Sequence, residues 1–175
     1  LNLVLVYQWY KNLFVFLGFF FFEKNVSYEF EQLLIVFFGF CAVSSMTYII
    51  NDLVDVKKDK IHPIKKNRPL ASGKVSRKEA FVILMFLCLI VFCSVYFLNL
   101  FYGLIVFTYF VFTNLYSFGF KNIPVLDAVM IGFNFMLRFM AGFADLPGQS
   151  TFYYFLIIFL STILFVIAKR RADSE

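Results

Sequence analysis

Three aspartates stand where a long apolar run gives way to a strongly basic segment: Asp52, Asp55 and Asp59. On a helix that continues out of the apolar run, at about 100° per residue, the three fall within about 60° of one another. Carboxylates on one face repel each other unless a positive group joins them. Oxygen-only ligands suit a hard cation, and Mg²⁺ typically binds one or two carboxylates together with substrate phosphates. The spacing therefore predicts that these aspartates are catalytic ligands of Mg²⁺.

The segment "HPIKKNRPLASGKV" follows directly, at residues 62–75. Its two prolines disfavour helix at the residues before them, which predicts an ordered, partly extended loop. Lys65, Lys66 and Arg68 can reach phosphate oxygens, and arginine can do so through two parallel hydrogen bonds. A site that binds a diphosphate requires this combination of aspartates, Mg²⁺ and a basic loop.

Two less specific interpretations of this region stay open. The aspartates can be the solvated end of a helix, paired with nearby lysines. The basic residues can be a loop that rests on anionic lipid. Neither interpretation explains why the acidic residues, the basic residues and the proline and glycine positions occur together.

Polar residues also recur at helical spacing inside the apolar runs. Arg138 is the most unusual of them, because it lies about 11 residues into its run, roughly 16 Å deep by helix rise. An intramembrane arginine is costly and usually faces a polar interior or a partner. The stripes predict a hydrophilic cavity, although ordinary interhelical hydrogen bonding explains a hydroxyl stripe equally well. They consist of Ser45 and Tyr48 in line with the aspartates, of Tyr109, Thr113, Tyr116 and Ser117, and of Asp127, Asn134 and Arg138.

The elements that must position these residues are membrane helices. Of the 175 residues 62% are hydrophobic and 15% are charged, whereas soluble domains have roughly 45–50% apolar and about 25% charged residues. The apolar runs are long enough to cross a bilayer, which takes about 20 residues per helix. We therefore predict an all-α, polytopic transmembrane helical bundle that forms one domain over residues 1–175. The predicted spans are residues 12–22, 31–50, 79–98, 101–119, 125–144 and 152–168.

The basic residues alternate between the two ends of these spans. The connections after spans two, four and six carry almost all of the lysines and arginines, and the connections between them carry mainly acids. The positive-inside rule then places the basic connections, and with them the aspartates, at the cytoplasmic face of a plasma or inner membrane. Because the basic residues are confined to these loops, we expect no nucleic-acid partner. Nor does the chain show the internal repeat typical of a transporter, and its aspartates lie at the cytoplasmic edge, whereas transporters usually place ionisable groups near the midplane.

The stretch from Asn51 to Asp59, NDLVDVKKD, resembles the NDxxDxxxD signature of the UbiA superfamily of membrane prenyltransferases. "HPIKKNRPLASG" is similar to the branch that contains the decaprenyl-phosphate phosphoribosyltransferases. The pieces "QWYKN", "LYSFGFKNIPVLD", "GFNFMLRFMAG" and "KRRADSE" agree with it in order. The resemblance implies a bundle of about nine spans, of which this chain supplies six, with the C-terminal spans missing. It also implies that Asn51 lies beside the metal ligands.

The resemblance further implies an activity. This is Mg²⁺-dependent transfer of a phosphoribosyl group from 5-phosphoribosyl 1-diphosphate to a polyprenyl phosphate, such as decaprenyl phosphate. The alternative is transfer of a prenyl group from a prenyl diphosphate to an aromatic or other small acceptor; a transporter or a non-catalytic fragment is a weaker alternative. Where classical members have a second aspartate motif, Lys169 and Arg170 suit phosphate better than metal. Lys121 and Arg138 are expected to orient the acceptor phosphate or the donor.

Overall fold

Every element in the described part of the chain is a helix, which confirms the predicted all-α class. The structure is a computed structural model that describes residues 3–4, 6–21, 26–120, 123–142 and 151–174. A 3-10 helix covers Val6–Phe21, and a short 3-10 turn covers Lys65–Asn67. The α-helices are α1 (Val26–Ile61), α2 (Arg77–Phe97), α3 (Leu100–Phe118), α4 (Pro124–Ala141) and α5 (Thr151–Ser174).

Four of these helices are long and apolar enough to cross a membrane, by length and composition within the described residues. They are Phe30–Ile61 of α1, the whole of α2 and α3, and Tyr153–Ala172 of α5. The first predicted span corresponds to the N-terminal 3-10 helix and the fifth to α4. Large apolar side chains remain exposed along α2, α3 and α5. Exposed apolar surface on long apolar helices is what an integral membrane protein presents to lipid.

Local signals set the starts of three helices. Ser76 caps α2 in a capping box: its hydroxyl accepts from the backbone N–H of Glu79 at 3.2 Å, and the Glu79 carboxylate accepts from the backbone N–H of Ser76 at 2.7 Å. The Asn99 side chain accepts from the backbone N–H of Tyr102 at 2.8 Å and starts α3. Pro124 begins α4, where a missing N–H costs nothing.

The long helix α1 is the centre of the bundle. It packs against the N-terminal 3-10 helix, α2, α3 and the 65–67 turn, while α4 packs against the N-terminal helix, α3 and α5. Gly39 lets α1 approach its neighbours closely, because a Cβ there would collide with the hydroxyl of Tyr102 and lie 2.7 Å from Oγ of Ser94. The polar faces of α1, α3 and α4 therefore meet in the interior.

Candidate functional site

The basic loop folds back over the end of α1 and is anchored there by apolar burial. Leu70 is 5% exposed and packs in a cluster with Val56 of α1 and Ala80 of α2. The backbone turns at Arg68, whose extended conformation is the one expected before a proline. The N–H of Arg68 donates to the carbonyl of Lys65 at 2.9 Å. Burial of Leu70 thus brings the side chain of Arg68 over the aspartate face of α1.

Arg68 joins two of the three aspartates. Its Nη1 donates to Oδ1 of Asp52 at 2.9 Å and to Oδ2 of Asp59 at 2.9 Å. Both aspartates are buried, at 7% and 3% exposure. They lie seven residues apart on α1, which is about two helical turns and brings them onto one face. The predicted convergence of carboxylates is therefore present for this pair, around a guanidinium.

Asp55 has a different environment. Its carboxylate lies 3.9 Å from the ammonium of Lys58, and its side chain is 21% exposed. It faces a polar pocket of about 340 Å³ between the end of α1, the loop and the end of α3. The pocket is lined by Asn51, Val54, Asp55, Lys58, Asp59, His62, Lys65, Ser117 and Phe118. Two predicted metal ligands, Asp55 and Asp59, thus share one cavity with Asn51 and Lys65, for which substrate binding is predicted.

The carboxylates at this end of α1 fit Mg²⁺. Within the described ranges, no three His, Cys, Asp or Glu side chains come close enough together to hold a metal by themselves. Mg²⁺ does not need three, since it commonly binds one or two carboxylates and completes its octahedron with water and phosphate oxygens. Asp52 and Asp59 already place two carboxylates around one positive group. They are the residues that would hold the ion.

His62 shapes the loop. Its Nδ1 accepts from the backbone N–H groups of Ile64 at 3.2 Å and Lys65 at 3.3 Å. This use of Nδ1 fixes the turn that follows α1. Lys66, on the same turn, is exposed.

A second polar centre lies deeper in the bundle, around Arg138. The guanidinium donates from Nε to Oδ1 of Asn12 at 2.9 Å and from Nη2 to the hydroxyl of Tyr109 at 2.7 Å. Nη1 donates to the carbonyl of Asn134 at 3.1 Å. Arg138 is 6% exposed. The predicted polar stripes of α3 and α4 therefore do face a common interior.

Two further predicted phosphate contacts, Lys169 and Arg170, lie near the C-terminal end of α5. Arg170 of α5 forms an ion pair with Asp127, a buried residue in the first turn of α4. Lys169 is exposed. Lys121 lies outside the described residues.

Sequence reasoning missed two residues of the Arg138 centre. Asn12 is 1% exposed, and Ser44 of α1 bonds to both Asn12, at 3.5 Å, and the Tyr109 hydroxyl, at 3.1 Å. The available signal for Asn12 was a polar amide at the start of an apolar run. Ser44 stands next to Ser45 in the sequence and gave no separate signal.

Comparison with known proteins agrees with this fold. Residues 12–175 match the UbiA prenyltransferase family. The chain is 29% identical, over 94% of its length, to decaprenyl-phosphate phosphoribosyltransferase of Mycolicibacterium smegmatis, of which it covers 53%. It is 28% identical, over 79% of its length, to the protein of the same name in Corynebacterium glutamicum, of which it covers 42%. The chain thus spans about half the length of these curated relatives.

A solved structure shares the fold. It is described as a UbiA homolog from Archaeoglobus fulgidus bound to GPP and Mg²⁺, and it aligns with a TM-score of 0.78 at 22% identity. The alignment covers 99% of this chain and 63% of that one. With a family match that covers nearly the whole sequence and a bundle of the same architecture, the chain belongs to the UbiA prenyltransferase family.

Proposed function

We propose that the protein transfers the phosphoribosyl group of 5-phosphoribosyl 1-diphosphate to a polyprenyl phosphate such as decaprenyl phosphate. The reaction depends on Mg²⁺, releases diphosphate and takes place at the cytoplasmic face of the plasma or inner membrane. The observation that carries the proposal is the convergence of Asp52 and Asp59 on one side of α1. Asp59 also lines, together with Asp55, a pocket that contains Lys58 and Lys65. The names of the curated relatives support phosphoribosyl over prenyl as the transferred group.

The carboxylates and the lysines have complementary tasks. Asp52 and Asp59 would hold the metal, and Asp55 would bind it directly or through water from the same pocket. Magnesium, when bound there, supplies positive charge that offsets the charge of the departing diphosphate. Lys58 and Lys65 border the pocket and contribute ammonium groups to the same task. Asn51 offers an amide that can donate to a diphosphate oxygen or accept from the ribose.

The bond changes require little from the protein beyond charge and position. The bond between the anomeric carbon and the diphosphate oxygen breaks, and its electron pair leaves with diphosphate. A phosphate oxygen of the lipid forms the new bond to that carbon. A phosphate monoester is already anionic near neutral pH, because its second pKa is about 6. No general base is therefore needed, and His62 is free to serve the loop.

The remaining basic residues extend this phosphate-binding surface. Lys66 lies on the loop beside the pocket, and Lys121 follows α3, whose last turn lines the pocket. Arg68 would turn from the aspartates to the diphosphate when the metal binds. Lys169 and Arg170 would attract the phosphate groups of either substrate towards the interior. The acceptor's polyprenyl chain would lie in the membrane against the exposed apolar faces of the helices.

A transfer assay in lipid tests the proposal. The full-length protein is given labelled phosphoribosyl diphosphate, a polyprenyl phosphate and Mg²⁺, beside a parallel assay with a prenyl diphosphate and an aromatic acceptor. We expect a labelled lipid in the first assay, lost in Asp55→Asn and retained in Glu31→Gln, an exposed carboxylate near the opposite end of α1. Product only in the second assay would replace phosphoribosyl transfer by prenyl transfer. Full activity of Asp55→Asn would remove this residue from the metal site.

A further inference from the structure

Arg138 is a buried cation with neutral partners. It is 6% exposed, and its three hydrogen bonds go to an amide, a hydroxyl and a backbone carbonyl. In the part of the chain that the structure describes, no carboxylate lies within ion-pair distance of its guanidinium. A charge removed from water is costly unless an opposite charge compensates it. The surroundings of Arg138 are therefore those of a site that receives an anion.

The guanidinium is held in a fixed orientation. Its carbon lies 4.8 Å from the ring centre of Tyr109 and 5.2 Å from that of Phe135. Ser44 ties together the Asn12 oxygen and the Tyr109 hydroxyl that receive its hydrogen bonds. An arginine has five N–H donors, and the three bonds leave one N–H on each terminal nitrogen. Two such donors match the bidentate geometry by which arginine binds phosphate.

No ion pair of the described residues compensates the charge of Arg138. The carboxylates of Asp52 and Asp59 are engaged with Arg68, and that of Asp127 is engaged with Arg170. An uncompensated positive charge attracts an anion and repels a cation.

The centre is distinct from the carboxylate cluster. Ser44 and Asp52 lie eight residues apart on α1, which corresponds to about 12 Å along the helix axis. An anion at Arg138 would thus sit more than two helical turns deeper than the diphosphate. One elongated substrate with phosphates at both ends can reach both places, and so can two substrates that meet between them.

We propose that Arg138, oriented by Asn12 and Tyr109, binds a phosphate monoester at a site separate from the diphosphate site. The ligand is either the 5-phosphate of the donor or the phosphate head of the polyprenyl acceptor; these identities rest on the proposed function. Both ligands present the same group, a terminal phosphate with three oxygens. The site therefore recognises a second phosphoryl group, separate from the diphosphate, which a prenyl diphosphate donor and an aromatic acceptor do not supply.

Binding without turnover tests this site. The full-length protein in detergent, with metal removed by chelator, is titrated with ribose 5-phosphate and, separately, with undecaprenyl phosphate, and its thermal midpoint is followed. The variants are Arg138→Lys, which keeps the charge and loses the planar fork, Arg138→Met and Tyr109→Phe. Arg77→Met, at the exposed start of α2, is the matched control.

We expect at least one of the two phosphates to raise the midpoint of the wild type and of Arg77→Met. Hydrogen bonds to charged groups are the stronger ones, so the affinity should fall by at least about tenfold in Arg138→Lys and further in Arg138→Met. If binding of ribose 5-phosphate depends on Arg138, the site binds the 5-phosphate of the donor. If binding of undecaprenyl phosphate depends on Arg138, the site binds the phosphate head of the acceptor. Equal affinities in the wild type and in Arg138→Lys, or no effect of either phosphate on the wild type, would overturn the site. If Arg138→Met does not fold, Arg138→Lys and Tyr109→Phe decide the question.

The two proposals can fail separately. Phosphate binding that depends on Arg138, in a protein without phosphoribosyl transfer, would reject the reaction and keep the site. Phosphoribosyl transfer with unchanged KM for both substrates in Arg138→Lys would keep the reaction and reject the site.

Discussion

Arg68 gives the carboxylate cluster its geometry. One nitrogen of its guanidinium contacts both Asp52 and Asp59, so a single positive charge offsets two buried negative ones. A metal ion with a bound diphosphate would offer the aspartates more charge and would offer Arg68 new oxygens. We therefore expect the guanidinium and the metal to compete for the same two carboxylates.

Arg68→Ala tests this competition. Without the guanidinium the two aspartates repel, and the loss of bonds to charged groups should lower the free energy of unfolding by about 1.5–3 kcal/mol. Because Arg68 is 35% exposed, the lower end is expected. Added Mg²⁺ should raise the thermal midpoint of Arg68→Ala more than that of the wild type.

The matched control for this experiment is Lys74→Ala, which removes an exposed charge from the same loop. It should behave as the wild type with and without Mg²⁺. A Mg²⁺ effect of the same size in Arg68→Ala and in the wild type would show that the ion does not bind at these carboxylates.

The thermal stability of a Tyr109 variant tests the hydrogen bonds of the Arg138 centre. Its hydroxyl accepts from Arg138 and contacts Ser44, and the residue is 2% exposed. Tyr109→Phe leaves a buried N–H and a buried hydroxyl with fewer partners, at a cost of about 1–3 kcal/mol. Thermal unfolding should show this loss, while Tyr96→Phe, at 78% exposure on α2, should change the midpoint little. Equally small changes of the midpoint in Tyr109→Phe and Tyr96→Phe would mean that the hydroxyl of Tyr109 does not stabilise Arg138.

At the scale of the elements, α1 carries both centres and depends on close packing. Gly39→Ala would place a methyl group against the hydroxyl of Tyr102. The side chain of Tyr102 is fully buried. Overpacking of this kind typically costs about 1–3 kcal/mol, and we expect the midpoint of thermal unfolding to fall. Gly119→Ala is the control, because a Cβ there meets nothing within 4 Å. Equal midpoints for the two variants would show that α1 can move away from α3 without loss.

Much of the element level could be predicted from the sequence. Hydropathy gave α2 and α3 to within about two residues at each end, since long apolar runs leave few alternatives in a bilayer. The capping box at Ser76 fixed the start of α2 for a local reason. The continuation of α1 beyond the apolar run followed from the spacing of the aspartates, and α1 does reach Ile61.

The contacts of the site were less predictable, because they depend on packing between distant segments. Arg68 reaches the aspartates since Leu70 is buried against α1 and α2. The sequence predicts that Arg68 contacts phosphate, but it does not show the direction in which the loop folds. Asn12 and Arg138 are 126 positions apart, and only the assembled bundle brings them together. The polar stripes predicted a common interior, but not which side chains pair within it.

At the scale of the whole molecule, the bundle separates two chemical environments. The carboxylates and the basic loop lie at one end of α1, where a polar pocket opens between α1 and α3. The Arg138 centre lies deeper, between the N-terminal helix, α1, α3 and α4. Around them, the exposed faces of α2, α3 and α5 are apolar. This arrangement suits a reaction between a water-soluble diphosphate and a lipid that carries a phosphate head.

The most direct test of this account measures diphosphate and lipid product together in one reaction. Full-length protein in lipid, with phosphoribosyl diphosphate and Mg²⁺, should release one diphosphate for each phosphoribosyl lipid formed, and only when polyprenyl phosphate is present. Asp59→Asn should lose both products, while Glu31→Gln keeps both. Diphosphate release without the lipid acceptor, or full activity of Asp59→Asn, would contradict the claim that the aspartate cluster of α1 carries out this transfer.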